Sequence, residues 1–150
     1  MVDDGIIINL ARAMPKLEHL VLGDPPCRRI PTGVTARGLV VLAHHCPNLF
    51  NLCIHIQVAS LFTPPATIGM TPNDVPGALQ RDCALKYLDV GKIPIPEQSV
   101  LLVALTLVRI FPQIAQIEAT NEGWWKVLDA IRHSRQIVDR SGKQTPFVIP

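Results

Sequence analysis

Apolar positions along this chain follow two alternating rhythms. Ahead of Pro15 they fall at Ile7, Leu10, Ala11 and Met14; ahead of Pro47 at Leu39, Leu42, Ala43 and Cys46; ahead of Pro112 at Ala104, Leu107, Val108 and Phe111. A spacing of i, i+3, i+4, i+7 is one face of a helix, and each helix is predicted to stop near its proline, which disfavours helical backbone in the residue before it. A second rhythm follows each stop. The segments MPKLEHLVLGD from Met14, CPNLFNLCIHI from Cys46, DCALKYLDVGK from Asp82 and FPQIAQIEATN from Phe111 align without a gap. Their aliphatics are Leu17, Leu20 and Leu22; Leu49, Leu52 and Ile54; Leu85, Leu88 and Val90; Ile114, Ile117 and, less strictly, Ala119. The last two of each set alternate as the inward residues of a short strand do.

The first aliphatics are 32, 36 and 29 residues apart, so the chain repeats one helix–turn–strand unit about four times. The predicted units cover roughly 6–23, 34–56, 75–91 and 99–120. In the third the helix stripe is degenerate: Val75, Ala78 and Leu79 fit, but Asp82 takes the apolar slot. A C-terminal helix over about 122–139 follows, then a tail at 140–150. Asn121 is its candidate N-cap, with Glu122 in the first turn and Trp124, Leu128, Ile131 and Val138 on one face. Trp124 is expected to bury against the last unit. Trp125 lies about 100° around the helix and is a candidate contact residue, packing of both tryptophans being the other reading. Arg132, Arg135 and Arg140 with His133 read as a solvated basic face.

The units carry a family resemblance. VTARGLVVLAHHCPNLFNLCI, residues 34–54, with Val34, Thr35, Gly38, Leu39, Leu42, Ala43 and Cys46 to Leu49, resembles the cysteine-containing leucine-rich repeat of F-box leucine-rich-repeat proteins. The stretch from Leu101 to Val138 is similar to the irregular repeats of fungal members. The resemblance implies an α/β fold, a leucine-rich-repeat solenoid of about four irregular helix–strand repeats with a short parallel sheet and a C-terminal helix. It further implies a protein-binding module, the substrate-recognition part of a ubiquitin ligase receptor, cytoplasmic or nuclear. Two departures stand. The usual asparagine or cysteine after each strand is replaced by Pro25, Gln57, Ile93 and Glu122. No segment reads as an F-box, so a ligase adaptor is an expected partner only with an F-box upstream. The chain reads as opening inside a repeat helix without a capping unit, as the C-terminal part of a longer architecture would. The alternative is a truncated structural fragment with no partner or activity of its own.

In such a solenoid the strands line a concave face side by side, and their outward residues form rows. The first is His19, Asn51, Tyr87 and Gln116; the second Val21, Cys53, Asp89 and Glu118; the third Gly23, His55, Gly91 and Thr120. The candidate protein-binding residues are His19, Asn51, Cys53, His55, Tyr87, Asp89, Gln116 and Glu118, with Trp125 beside them. An ordinary solvated sheet face is the competing reading. Two proline-rich connections, 24–33 and 57–76, are candidate contact or mobile loops. Leu61 and Phe62 in the second either tuck back onto the units or serve as a contact.

Composition narrows the chemistry. Apolar residues make up 48% and charges 17%, which suits a chain that buries a core. A net charge of +2 with mixed signs is no nucleic-acid footprint. The greasiest run, Ser99 to Phe111, contains Arg109 and falls short of the roughly 20 residues needed to span a bilayer, so no membrane contact is expected. The opening Met1-Val2-Asp3-Asp4 is acidic where a secretory leader is basic, so the four cysteines are expected as free thiols. Cys46, Cys53, His44, His45 and His55 raise the question of a metal. Cys46 occupies the helix-end slot of Met14 and Phe111, and Cys53 points to the other face, so convergence on zinc is not expected. His44 and His45 are expected on the solvent side of their helix end. Asp89 and Glu118 are the one candidate carboxylate pair, but no phosphate loop, nucleophile elbow or metalloprotease motif accompanies them. The expectation is no enzyme, no cofactor and no metal.

Overall fold

The structure, a computed structural model, describes residues 2–22, 32–62, 83–119 and 121–141. The predicted third-unit helix around Val75 to Leu79, most of both proline-rich connections, Gly23, Thr120 and most of the tail lie outside the described residues.

Each helix starts and stops for a local reason. In α1 (Asp4–Ala13), Asp3 is the N-cap: its backbone is extended and its Oδ1 accepts the Ile6 N–H at 3.0 Å. In α2 (Ala36–His45), Thr35 plays that part for the Arg37 N–H at 3.2 Å. The third helix, α3 (Val100–Ile110), grows from a 3-10 turn at Glu97–Ser99. All three end alike. The caps Met14, Cys46 and Phe111 have ψ of 66°, 71° and 81°, outside the helical region and each ahead of a proline. Their N–H groups close on Leu10, Leu42 and Leu107, and their carbonyls then accept from Leu17, Leu49 and Ile114 at 3.1, 3.1 and 3.2 Å. The same turn is thus made three times, from different side chains.

After the turns come β2 (His19–Val21), β4 (Asn51–Cys53), β5 (Tyr87–Gly91) and β6 (Gln116–Ala119), which form one parallel sheet in sequence order. A second, two-stranded sheet pairs β1 (Val2–Asp3) with β3 (Thr32–Gly33). The apolar pattern does not predict this pairing. It places two residues ahead of α1, so the described chain does not open inside the helix. The fourth helix, α4 (Glu122–Ser141), packs on α3 and β6.

The four strands are joined by one repeated backbone motif. The carbonyl of Glu18 accepts from Phe50 and Asn51 at 2.7 and 3.2 Å. That of Phe50 accepts from Lys86 and Tyr87 at 3.0 and 3.1 Å, and that of Lys86 from Ala115 and Gln116, both at 2.9 Å. Register follows the repeat: His19, Asn51, Tyr87 and Gln116 are partners across the sheet, as are Leu20, Leu52, Leu88 and Ile117. The first two outward rows therefore stand as their spacing predicts. The third does not. An irregularity after Asp89 brings Gly91 opposite Ala119 instead of Thr120. Gly91 has a φ of 68°, a left-handed turn that a side chain resists, and the Asp89 carboxylate holds the Gly91 N–H at 2.9 Å.

One sheet face is buried through Leu20, Leu52, Leu88 and Ile117, continuous with the apolar faces of the helices. Cys46 is fully buried in its slot, as is Phe111, but Met14 in the equivalent position is 47% exposed. The Cys46 thiol reaches the Ala11 and Met14 carbonyls at 3.7 and 3.4 Å. One unit later the Cys83 thiol reaches back to the Cys46 and Leu49 carbonyls, at 3.6 and 3.8 Å. Leu61 is buried in a 3-10 turn at Val58–Phe62, and its carbonyl shares the Thr106 hydroxyl proton with the Leu102 carbonyl. Of the two readings for that apolar spot, tucking back is the one observed.

Candidate functional site

Among the described residues the opposite sheet face is largely exposed, except at Cys53. All-parallel sheets usually have both faces covered, because their crossover helices divide between the two sides. Here His19, Tyr87, Gln116 and Glu118 are exposed, while Asn51 and Asp89 are half-buried. Val21 is 51% and Tyr87 41% exposed, large apolar surfaces to leave in water.

A ring cluster that the strand alternation does not reveal runs across the start of this face. The Phe50 ring meets Tyr87 edge-on at 5.0 Å and His19 at 6.2 Å, and the Lys86 ammonium stands 5.9 Å from its centroid. Such edge-on pairs and a cation over a ring each contribute about 0.5–1.5 kcal/mol. Phe50 precedes its strand, in the position of Glu18, Lys86 and Ala115, and so reads as a turn residue. Its signal is its size at a position otherwise held by charged or small residues.

Two expectations about this surface need correction. Cys53 is only 7% exposed and is disulfide-bonded, neither an outward contact nor a free thiol. Its Sγ lies 3.7 Å from Asp89 Oδ2, and since a disulfide sulfur carries no proton this is a packing contact. The disulfide and the Asp89 carboxylate lie against its sulfur and keep water from it, whereas Asn51 on the same strand is only half-buried. His55 follows β4 and is half-buried, in no strand pairing with Gly91. Asp89 and Glu118 are partners across β5 and β6 as expected, but one Asp89 oxygen is committed to Gly91.

Away from the sheet, Trp124 is 1% exposed and donates its indole N–H to the Ile93 carbonyl at 2.7 Å. Asn121 Oδ1 accepts the Gly123 N–H at 2.8 Å, the predicted cap of α4. Trp125 is 61% exposed; α4, not the sheet, positions it. Arg135 departs from the solvated reading: it is half-buried, donates to the Pro112 carbonyl at 2.7 Å, and burial lowers its pKa. His44 and His45 are half-buried, their rings 4.9 Å apart, because α2 sits between α1 and α3.

The free cysteines Cys46 and Cys83 are guarded from ionisation. Burial first, and the neighbouring Cys83 thiol second, push Cys46 up to about 11; burial likewise raises Cys83. Among the described residues no group of three or more His, Cys, Asp or Glu side chains is placed to hold a metal ion, and no helix is long and apolar enough to cross a membrane. No protein-family model, curated protein or solved structure matches the chain.

Proposed function

We propose that this chain is a leucine-rich-repeat solenoid that binds another protein on its open sheet face. The observation that carries the reading is the exposure of His19, Val21, Tyr87, Gln116 and Glu118 on that face among the described residues. That side presents Tyr87 and Val21 in adjacent rows, with the rings around Phe50 beside them. Large aromatic side chains held rigidly on a sheet bind a partner at low entropic cost. The thrice-repeated helix ending and the shared strand carbonyls support the repeat reading. His19, Asn51, Asp89, Gln116 and Glu118 would frame the contact, with Trp125 as an outlying one. By the resemblance of its second unit, the module would be the target-recognition part of an F-box-type ubiquitin ligase receptor in the cytoplasm or nucleus. It would reach the ligase adaptor only through an F-box upstream. It would use no cofactor or metal and perform no catalysis.

The test is affinity capture of the tagged chain from extracts of its native cells. Recovery of one protein that Tyr87→Ala and Glu118→Lys both lose supports the reading, and ligase subunits alongside it support the F-box assignment. Capture untouched by both substitutions overturns the face. A second reading, a repeat fragment with no partner, is favoured by the exposure of Ile6 and Met14 on the first unit. Recovery of chaperones alone supports it.

A further inference from the structure

We propose that Asp89 guards the Cys53 disulfide against thiols, so that the cross-link persists where glutathione would open an unguarded one. The bond is guarded in this way whether or not the exposed face binds a protein.

Cys53 has two partners in register, Val21 on β2 and Asp89 on β5. It stands apart from the hydrophobic core, on the other face of the sheet, yet its side chain is only 7% exposed. The other sulfur of its bond lies outside the described residues. On the β5 side the carboxylate is held in place. Asp89 Oδ1 accepts the Gly91 N–H at 2.9 Å, across the left-handed turn at Gly91, and Oδ2 is left 3.7 Å from the Cys53 sulfur. Glu118, the partner of Asp89 on β6, adds a second carboxylate one strand further along the same row. On the β2 side stands only the uncharged Val21. The sulfur therefore has negative charge fixed beside it and no positive charge in its row.

A disulfide opens when a thiolate attacks one of its sulfurs. A new S–S bond forms, the old one breaks, and its electron pair leaves on the second sulfur, which takes a proton from water. A second thiolate then attacks the mixed disulfide and frees the remaining protein thiol, so two glutathiones are oxidised for each bond reduced. Both directions of attack meet Asp89. Attack on Cys53 brings an anion to a buried sulfur that already has a carboxylate at 3.7 Å. Attack on the other sulfur expels Cys53 as a thiolate beside that same carboxylate. A like charge so close raises the pKa of a thiol and makes it a poor leaving group. Internal exchange is closed as well. Cys46 and Cys83 are free but belong to the core behind the sheet, where burial keeps them protonated at neutral pH.

Reduction of the oxidised full chain by glutathione at neutral pH, with the Cys53 thiol counted by alkylation and mass spectrometry, tests this. Asp89→Asn keeps an oxygen for the Gly91 N–H and removes the charge, and it should open the bond about tenfold faster. Glu118→Gln, one strand further away, should accelerate opening less. Val21→Lys sets a cation on the other side of the sulfur without touching the Gly91 turn, at a position already 51% exposed, and should accelerate it too. An Asp89→Asn chain reduced no faster than the wild type overturns the proposal. So does acceleration in Asp89→Asn with none in Val21→Lys, since a loosened turn rather than a lost charge would then be the cause. A wild-type bond that opens as fast in the folded chain as in urea, or a Cys53 that stays free in the oxidised chain, overturns it as well.

Discussion

Asp4 holds Thr35 with both carboxylate oxygens: Oδ1 accepts the Thr35 N–H at 2.8 Å and Oδ2 the hydroxyl at 2.6 Å. The first residue of α1 thereby fixes the N-cap of α2. Gly38 is what makes room, since a Cβ there would lie 2.5 Å from Asp4 Oδ1 and 3.2 Å from a Val34 methyl. Asp4→Ala should cost about 2 kcal/mol, the worth of hydrogen bonds to a charged acceptor in a partly buried site. Gly38→Ala should reverse sign with background. Helix propensity alone favours alanine by about 1 kcal/mol, but displacing the carboxylate from Thr35 costs more. In the Asp4→Ala chain the same substitution should become neutral or stabilising. Urea unfolding of the four-member cycle checks this, and a Gly38→Ala that stabilises the wild type would refute it.

The buried thiols predict an alkaline limit to stability. Cys46 and Cys83 have pKa values raised in the folded chain, Cys46 from 9.0 to about 11. A thiol that ionises more easily when unfolded leaves the folded state fully supported below pH 9.0. That support is lost as pH rises from there through about 11. The melting temperature should fall across this window, and the fall should be shallower in Cys46→Ala. An unchanged slope in that variant counts against the thiol as the cause.

Trp124 and Trp125 should separate cleanly in fluorescence. Trp124→Phe removes the donor to the Ile93 carbonyl and should destabilise the chain by about 1–3 kcal/mol. Its remaining emission should be red-shifted and open to iodide quenching, as for a residue 61% exposed. Trp125→Phe should do the reverse, leaving stability near wild type and a blue-shifted, shielded signal.

The two sheet faces should respond oppositely to charge. Leu52→Asp and Leu88→Asp place a carboxylate at positions 0% and 1% exposed and should abolish the cooperative melt. On the other face, Glu118→Lys should move stability by less than about 1 kcal/mol. Tyr87→Ala should cost little more, the difference being its edge-on packing against Phe50. Thermal melts followed by circular dichroism give the comparison.

Much of this fold is legible in the spacing of aliphatic residues. Leu20, Leu52, Leu88 and Ile117 are both a sequence pattern and a row in space, and ahead of β2, β4 and β6 a repeated turn delivers the strand in the same phase. What the pattern hides has physical causes. The outward parity of Cys53 is right, but parity says nothing of a cross-link, and the disulfide takes its sulfur out of contact with water. The register slip at Gly91 depends on one left-handed residue, which spacing does not encode. Cys83 takes over the thiol's role although Asp82 aligns with Cys46, since a thiol one residue along still reaches the preceding unit's carbonyls. The pairing of Val2–Asp3 with Thr32–Gly33 joins two stretches too short to carry any periodicity.

The shared carbonyls between strands have a consequence for how such a chain changes over time. Glu18, Phe50 and Lys86 accept the same pair of amides although their side chains are acidic, aromatic and basic. Cohesion between neighbouring strands is therefore written in the main chain and in the inner row, and the outer row is released from it. New outward residues can be tried one at a time with the scaffold intact, so divergence at this surface can outpace divergence in how the chain is built.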